Sequence, residues 1–374
     1  MEQDENITQI ANELSVDRLV IAEDNQLQFP YDVVKGQALL INRGMNNQTA
    51  AARSTGYLYP YINRNIFNDT LPYLSSFQVF SYGFDTNGNL VPPVVEEKDL
   101  IITGLEEATV AVLTLTPLTE AQSFDSNLIT TLVQNEAVQD TLFQNLLVVM
   151  NEKGYVGINI DFEYVRAEDR DLYTEFVRRC TEVMHEYGYQ VSVALVPKTS
   201  AEQEGLLYEG IDYRALGEIA DTVVLMTYEW GYTYGPPMAV APLNRVREVV
   251  EYAITEIPRS KIMLGIPNYG YDWPLPFVEG TTAARTIGNV DAMQLAIRND
   301  AEIGYDEVAQ TPYFNYTEGD VEHVVWFEDV RSLQAKFNLM KEYGLRGASY
   351  WQLMQWFRAN WLLFEDNFVI VPGL

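Results

Sequence analysis

Short apolar runs recur along this chain, separated by longer amphipathic stretches. Runs of five to seven residues occur at Gly56–Pro60, Phe77–Tyr82, Thr109–Leu115, Val156–Phe162, Gln190–Val196, Thr222–Thr227, Ile262–Pro267 and Gly347–Trp351. Their length and their content of branched and aromatic residues predict buried strands. Between them, Asp169–Tyr187 and Leu243–Ile257 repeat apolar residues at helical spacing, and Glu328–Tyr343 supplies a helix before the last strand. Eight strands alternating with helices predict an α/β fold, a (β/α)8 TIM barrel. The gap between the seventh and eighth strands is too long for one helix. Residues 274–322 carry several turn signals and predict a small α+β insertion at the end of the barrel where the strands finish.

Ahead of the barrel the pattern changes. Ile7, Ile10, Ala11 and Leu14 have helical spacing, and a second short helix is predicted from Ser15, as N-cap, through Leu19 and Ala22 to Asn25. An apolar strand, Gly36–Ile41, follows Pro30. Residues 43–53 are polar and rich in Ala, Asn and Arg, which reads as a linker. The chain thus divides into a unit over residues 1–45 and a barrel over 54–374.

Composition narrows the function. The 374 residues carry 53 acidic and 24 basic side chains, a formal net charge of −29. That balance argues against nucleic acid or an anionic membrane as a partner. The acids include patches such as Glu96-Glu97 and Glu202–Glu204, read as solvated surface. The single cysteine, Cys180, excludes an intramolecular disulfide and fits the apolar side of a helix. With only His185 and His323, both read as surface residues, neither a zinc site nor a Ser-His-Asp triad is supported, and no metal or cofactor is expected. No apolar run approaches the ~18 residues that span a bilayer. The acidic start, Met1 to Glu5, lacks the basic and apolar regions of a secretory leader. Either the protein is not exported by that route, or its leader lies outside this chain.

The chemistry concentrates at strand ends. In Gly157-Ile158-Asn159-Ile160-Asp161-Phe162-Glu163, apolar and polar residues alternate. Period-two alternation places Asn159, Asp161 and Glu163 on one face, with Asp161 and Glu163 about 6.6–6.8 Å apart at Cα. One ionised neighbour raises the pKa of the other, which suits a proton donor. A structural ion pair is the competing reading, but no Lys or Arg lies in that strand to neutralise the acids. The sixth strand ends Met226-Thr227-Tyr228-Glu229-Trp230, the seventh Gly265-Ile266-Pro267-Asn268-Tyr269-Gly270-Tyr271, and the eighth Ser349-Tyr350-Trp351. Active sites of such barrels lie at these ends. Acids beside Tyr and Trp suit a sugar, because aromatic faces stack on pyranose rings while carboxylates bind hydroxyls. For Tyr228 and Trp351 core packing is the competing reading. Trp230, Tyr269, Tyr271 and Trp273 either line subsites or pack the insertion, and Tyr57 and Tyr82 are weaker candidates on the first two strands.

Across roughly residues 55–365 the chain resembles glycoside hydrolase family 18. That family's fourth-strand signature, D-G-x-D-x-D-x-E, aligns with Val156 to Glu163. The last Asp and the Glu are kept as Asp161 and Glu163, whereas Val156 and Asn159 replace the first two Asp residues. The sixth-strand motif M-x-Y-D/E is Met226, Tyr228 and Glu229, and the eighth-strand Trp is Trp351. Asn-Ile-Asp-Phe-Glu, Met-Thr-Tyr-Glu-Trp and Trp326-Phe327-Glu328-Asp329 are similar to the spore-cortex-lytic branch, whose members carry N-terminal LysM modules. Residues 3–42 resemble a degenerate LysM module through Ile10-Ala11, Ser15 and Leu19, a displaced Asn25, and Gly36-Gln37 with Leu39 and Ile41. Asp4-Glu5-Asn6 stands where that module's first strand would be.

The resemblance implies a monomeric enzyme of the spore cortex or cell wall. It would cleave N-acetylglucosamine linkages in peptidoglycan or a chitin-like glycan by a substrate-assisted retaining mechanism. Glu163 would be the acid and base, Asp161 the partner of the substrate's acetamido N–H, and Tyr228 the partner of its acetamido oxygen. Asn159, Met226, Glu229, Trp351, Tyr57, Tyr269 and Trp230 would contact sugar. Asn159 would donate a hydrogen bond to Asp161 but could not take its proton, leaving Asp161 more often ionised. The alternatives are a chitinase or endo-N-acetylglucosaminidase, or a non-catalytic glycan-binding protein on the same barrel.

Overall fold

The computed structural model describes residues 6–41, 48, 50–119 and 123–374. The acidic start and residues 43–47 and 49 of the expected linker lie outside the described residues. Eight parallel strands close into a barrel: β1 (Ala50–Leu58), β2 (Ser76–Phe84), β3 (Val110–Leu115), β4 (Gly157–Ile160), β5 (Gln190–Leu195), β6 (Thr222–Leu225), β7 (Ile262–Pro267) and β8 (Gly347–Trp351). β8 pairs with β7 on one side, Tyr350 beside Ile266, and with β1 on the other, Tyr350 beside Gly56. All eight expected strands are present. They are fixed by burial from both sides: Ile158, Ile160, Val223, Leu225, Leu264 and Ile266 are all buried.

Helices wrap the barrel with one apolar stripe inward. In the helix Arg170–Glu186 that stripe is Tyr173, Phe176, Val177, Cys180 and Met184, the i, i+3, i+4, i+7, i+11 pattern of one helix face. Phe162, just past β4, stacks on Phe84, Tyr173 and Phe176 and joins barrel to helix layer. Burying a side chain of that size contributes about 1.5–3 kcal/mol. Among the described residues, no helix is long and apolar enough to cross a membrane.

Several expectations are corrected. β1 starts at Ala50, inside the expected linker, because Ala50–Ala52 pair with Phe368–Ile370. Ser15 is the C-cap of the helix Ile7–Leu14, with φ 54°, and Asp17 caps the helix Arg18–Asp24 by accepting the Leu19 N–H. Gly36–Ile41 makes no strand; the Asn25 amide occupies the backbone groups of Leu40 that a ladder would have used. The insertion spans residues 270–326 rather than 274–322. It is a five-stranded antiparallel sheet with the helix Asn289–Arg298. His323 lies in one of its strands, mostly buried against Asp272 at 2.8 Å, not in a surface loop. Glu97 is also not surface: it is buried and accepts from Lys153, Tyr155 and Tyr82.

The two N-terminal helices share a small apolar cluster of Ile7, Ala11, Ile21, Ala22 and Leu27. They are also fastened to the barrel unit. Arg358 reaches Asp24 at 3.0 Å, and the Ile303 N–H donates to the Lys35 carbonyl at 2.9 Å. Gly36 lies against that contact with φ 78°, and a Cβ there would sit 1.9 Å from the Ile303 oxygen, so only glycine fits.

Glu328 and Lys336 explain one of the sequence motifs. Both are fully buried, their charged groups 2.8 Å apart, beneath the helix Val330–Tyr343 that Asp329 caps. Burial pushes the Glu328 carboxyl up, and Lys336, then Ser332, work against that rise. Lys336→Ala should therefore cost about 3–5 kcal/mol in urea unfolding. The double change Glu328→Leu with Lys336→Met should restore most of it. A loss below about 1 kcal/mol for the single change would contradict this role.

Candidate active site

The predicted alternation holds at the end of β4. Ile158, Ile160 and Phe162 face the helices, and the polar residues turn into the barrel. Asn159 is fully buried and both ends of its amide are used. Its Nδ2 donates to the Tyr57 hydroxyl at 3.1 Å, and its Oδ1 accepts from Ser192 at 2.9 Å. The expected donation from Asn159 to Asp161 is not made; the amide nitrogen is turned to the Tyr57 hydroxyl instead. Asp161 is buried, and its Oδ1 has no hydrogen-bond partner among the described residues. Such an orphaned oxygen costs about 1–3 kcal/mol until a proton or a donor meets it.

Burial, and then the charge of Glu163, holds the Asp161 carboxyl well above the usual carboxylate range. The expectation of a more ionised Asp161 is thus opposed by its surroundings. Burial, and then Glu229, raises Glu163. Tyr228 is raised by burial and by Tyr57 and Asp161, so it stays a protonated phenol and a donor.

The end of β6 supplies the opposite wall. Thr227 anchors it by donating to the Gly265 carbonyl at 2.8 Å. Gly265 has no side chain because a Cβ would lie 2.8 Å from Tyr228 Cε1 and 2.2 Å from the Leu225 oxygen. Glu229 takes φ 65° and Tyr164 φ 58°, a left-handed backbone that costs each about 1 kcal/mol or more. Two phenols hold Glu229 there: Tyr269 donates at 3.1 Å and Tyr271 at 3.4 Å.

These groups border two adjoining lobes of one cleft. The smaller, about 140 Å³, is lined by Tyr59, Phe80, Phe124, Asp161 and Trp351. The larger, about 360 Å³, is lined by Tyr164, Val196, Pro197, Leu207, Tyr208, Trp230 and Tyr232. Glu163, Met226, Tyr228 and Glu229 border both. Phe80 packs edge-on to Trp351 at 4.9 Å. Among the described residues, no Lys, Arg or His lines either lobe, and no group of His, Cys, Asp and Glu is placed to hold a metal ion.

The structure therefore brings Glu163, Asp161, Tyr228, Met226, Glu229, Trp351 and Trp230 to one cleft. Tyr57 and Asn159 support it from below, and Tyr269 reaches it through Glu229. Tyr82 does not belong to it, since its hydroxyl points to Glu97. Trp273 is buried in the insertion and donates to the Gly235 carbonyl at 2.9 Å. Sequence reading missed Tyr59, Phe80, Phe124, Tyr164, Tyr208 and Tyr232. Tyr59 and Phe80 could have been found from their places at the end of β1 and on β2. Phe124, Tyr208 and Tyr232 lie on loops, where no periodicity marks a side chain's direction.

Residues 122–355 match the family described as glycosyl hydrolases family 18. The chain is similar to the cortical fragment-lytic enzyme of Bacillus subtilis (strain 168), 45% identical over 85% of this chain and 75% of the relative. It is also similar in structure to the Bacillus megaterium QM B1551 spore cortex-lytic enzyme SleL, with TM-score 0.83 and 36% identity over 100% of this chain and 87% of the other. A chitinase from Chromobacterium violaceum ATCC 12472 gives TM-score 0.78 and 26% identity over 84% and 98% of the two chains.

Glu229 raises Glu163 by like charge, so Glu229→Gln should lower the Glu163 pKa. A fall is expected by carbon-13 NMR of the labelled carboxyl. An unmoved titration would show that Glu229 does not act on Glu163.

Proposed function

The chain belongs to glycosyl hydrolase family 18, and from that premise we propose that it hydrolyses N-acetylglucosamine linkages of spore-cortex peptidoglycan with substrate assistance. That it is a glycosidase follows from the family and from relatives named as lytic enzymes. The cortex as substrate is supported by what those relatives are named for. One observation carries the mechanism: Glu163 borders both lobes, while beside it Asp161 offers a buried oxygen without a partner.

The reacting sugar occupies the smaller lobe, over Trp351. Its acetamido oxygen attacks the anomeric carbon as the bond to the leaving sugar breaks. Glu163 gives its proton to the departing oxygen, and an oxazolinium ring results. Asp161 accepts the acetamido N–H and balances the positive charge, while the Tyr228 hydroxyl donates to the acetamido oxygen and aims it. Glu163, now a carboxylate, then takes a proton from water as that water opens the ring, and configuration at the anomeric carbon is retained. A raised pKa suits Glu163 to both steps near neutral pH. Glu229, Met226 and Trp230 contact sugar at the junction and in the larger lobe. Asn159 and Tyr57 fix the floor.

One chain supplies every group in this scheme, which supports a monomer acting on the cortex or cell wall. Residues 1–45 we read as a LysM-like unit ahead of the hydrolytic barrel, supported by their separate apolar cluster. One observation favours a neutral chitin-like glycan as second substrate: no cation lines the described cleft to pair with acidic groups of a peptide-bearing strand.

Glu163→Gln should bind glycan normally and lose turnover by about 10²–10⁴-fold. Equal release of reducing ends by variant and wild type would defeat the enzyme reading. Mass spectrometry of products from cortex fragments and from chitin oligomers decides between the two substrates. Asn159→Asp adds a carboxylate beside Asp161 and raises its pKa further. Asp161 works as the anion, so activity falls as pH drops through that pKa. The acid limb of the rate profile should move to higher pH. An unchanged limb would remove Asn159 from the charge balance of the site.

A further inference from the structure

The loop from Val196 to Asp212, between β5 and the helix Tyr213–Ile219, holds a buried ammonium that the mechanism does not use. Lys198 is 1% exposed. Its Nζ donates to the carbonyls of Ile211 at 2.9 Å, Tyr208 at 3.2 Å and Ala201 at 3.4 Å. No carboxylate lies within ion-pair distance of it among the described residues, although Asp212, Glu202 and Glu209 are near enough to be felt. Burying an ammonium on carbonyls alone is costly, so the arrangement needs a reason. Its backbone is fixed too: the Lys198 N–H donates to the Tyr213 hydroxyl at 3.0 Å, which in turn donates to the Val196 carbonyl.

Three carbonyls from a segment without regular structure are thereby gathered on one nitrogen. The residues next to those contacts are the ones that line the larger lobe: Val196 and Pro197 on the incoming arm, Leu207 and Tyr208 on the returning one. An aliphatic residue in place of Lys198 would strip this donor from the buried Ile211 carbonyl and cut the tie to the Ala201 and Tyr208 carbonyls, the last of which keeps the Ile211 N–H.

We propose that Lys198 is a positioning residue for the leaving-side sugar, holding Leu207 and Tyr208 as the wall against which that sugar lies. The assignment of sides rests on the reading of Glu163 as the acid. The smaller lobe holds Asp161 and Trp351 and takes the reacting ring. The larger lobe, across Glu163, takes the sugar that departs.

The test compares two substrates on the full chain. One is an aryl glycoside of N,N′-diacetylchitobiose, whose leaving group carries no sugar. The other is the N-acetylglucosamine tetramer. Lys198→Met should raise KM for the tetramer about tenfold, a loss of about 1.4 kcal/mol of binding, with kcat held within about twofold. The aryl glycoside should be hydrolysed as by wild type, and Lys198→Arg should recover part of the tetramer KM. Proportional loss on both substrates, or an unchanged tetramer KM, overturns the proposal. If Lys198→Met gives no cooperative thermal transition, Tyr208→Ala decides: the same split between substrates supports the wall, and its absence overturns it. Wild type that turns over neither substrate rules out the chitin-like glycan, and the same KM-against-kcat comparison is then read on cortex fragments, where an unchanged KM for Lys198→Met overturns the proposal.

Discussion

A carboxylate is expensive to take out of water, and this protein buries Asp161 and partly buries Glu163 at the mouth of one barrel without supplying a cation. Asp161, Glu163 and Glu229 border the same cleft, and no Lys, Arg or His among the described residues lines it. Burial and like charge push the Asp161 and Glu163 carboxyls above the ordinary carboxylate range, so both hold a proton more tightly than a free carboxyl does. The rest of the site follows from keeping that cluster in place. Phenols satisfy Glu229, a glycine makes room for Tyr228, and Asn159 is tied between Tyr57 and Ser192.

The same chain shows what it does with acids that only support the fold. Glu97 is buried against Lys153, Glu328 against Lys336, and Asp272 against Arg285 and His323. Each of these three is met by a basic partner, and the buried Asp169 is met by the Thr130 hydroxyl and the Gln134 amide. Asp161 differs from these four in having neither a cation nor, at its Oδ1, any hydrogen-bond donor among the described residues. Departures of that kind are expected where chemistry is done.

Much of this was legible in the sequence, and the reasons are physical. Barrel strands buried on both sides read as continuous apolar runs, so all eight were visible. Asp161 and Glu163 could be placed on one face because a strand has a strict period of two. Charge was less legible. Glu97 looks like surface because a neighbouring Glu96 is exposed, and only the fold shows Lys153 and two phenols around it. His323 looked like a loop residue because its strand, Val321–Trp326, is short and flanked by polar residues. Ser15 and Asp17 are both good caps, and sequence alone does not say which lies at the start of a helix and which at the end of the one before. The loop aromatics of the cleft carry no period at all.

β8 has a consequence for how such an enzyme comes into being. It is the strand that lies between β1 and β7, and it also brings Trp351 to the cleft. A nascent chain that already carries Asp161, Glu163 and Glu229 still has an open sheet until residues 347–351 arrive. Closure and the last wall of the cleft come in one step. A chain cut before residue 347 lacks both the strand that closes the barrel and the Trp351 wall of the cleft.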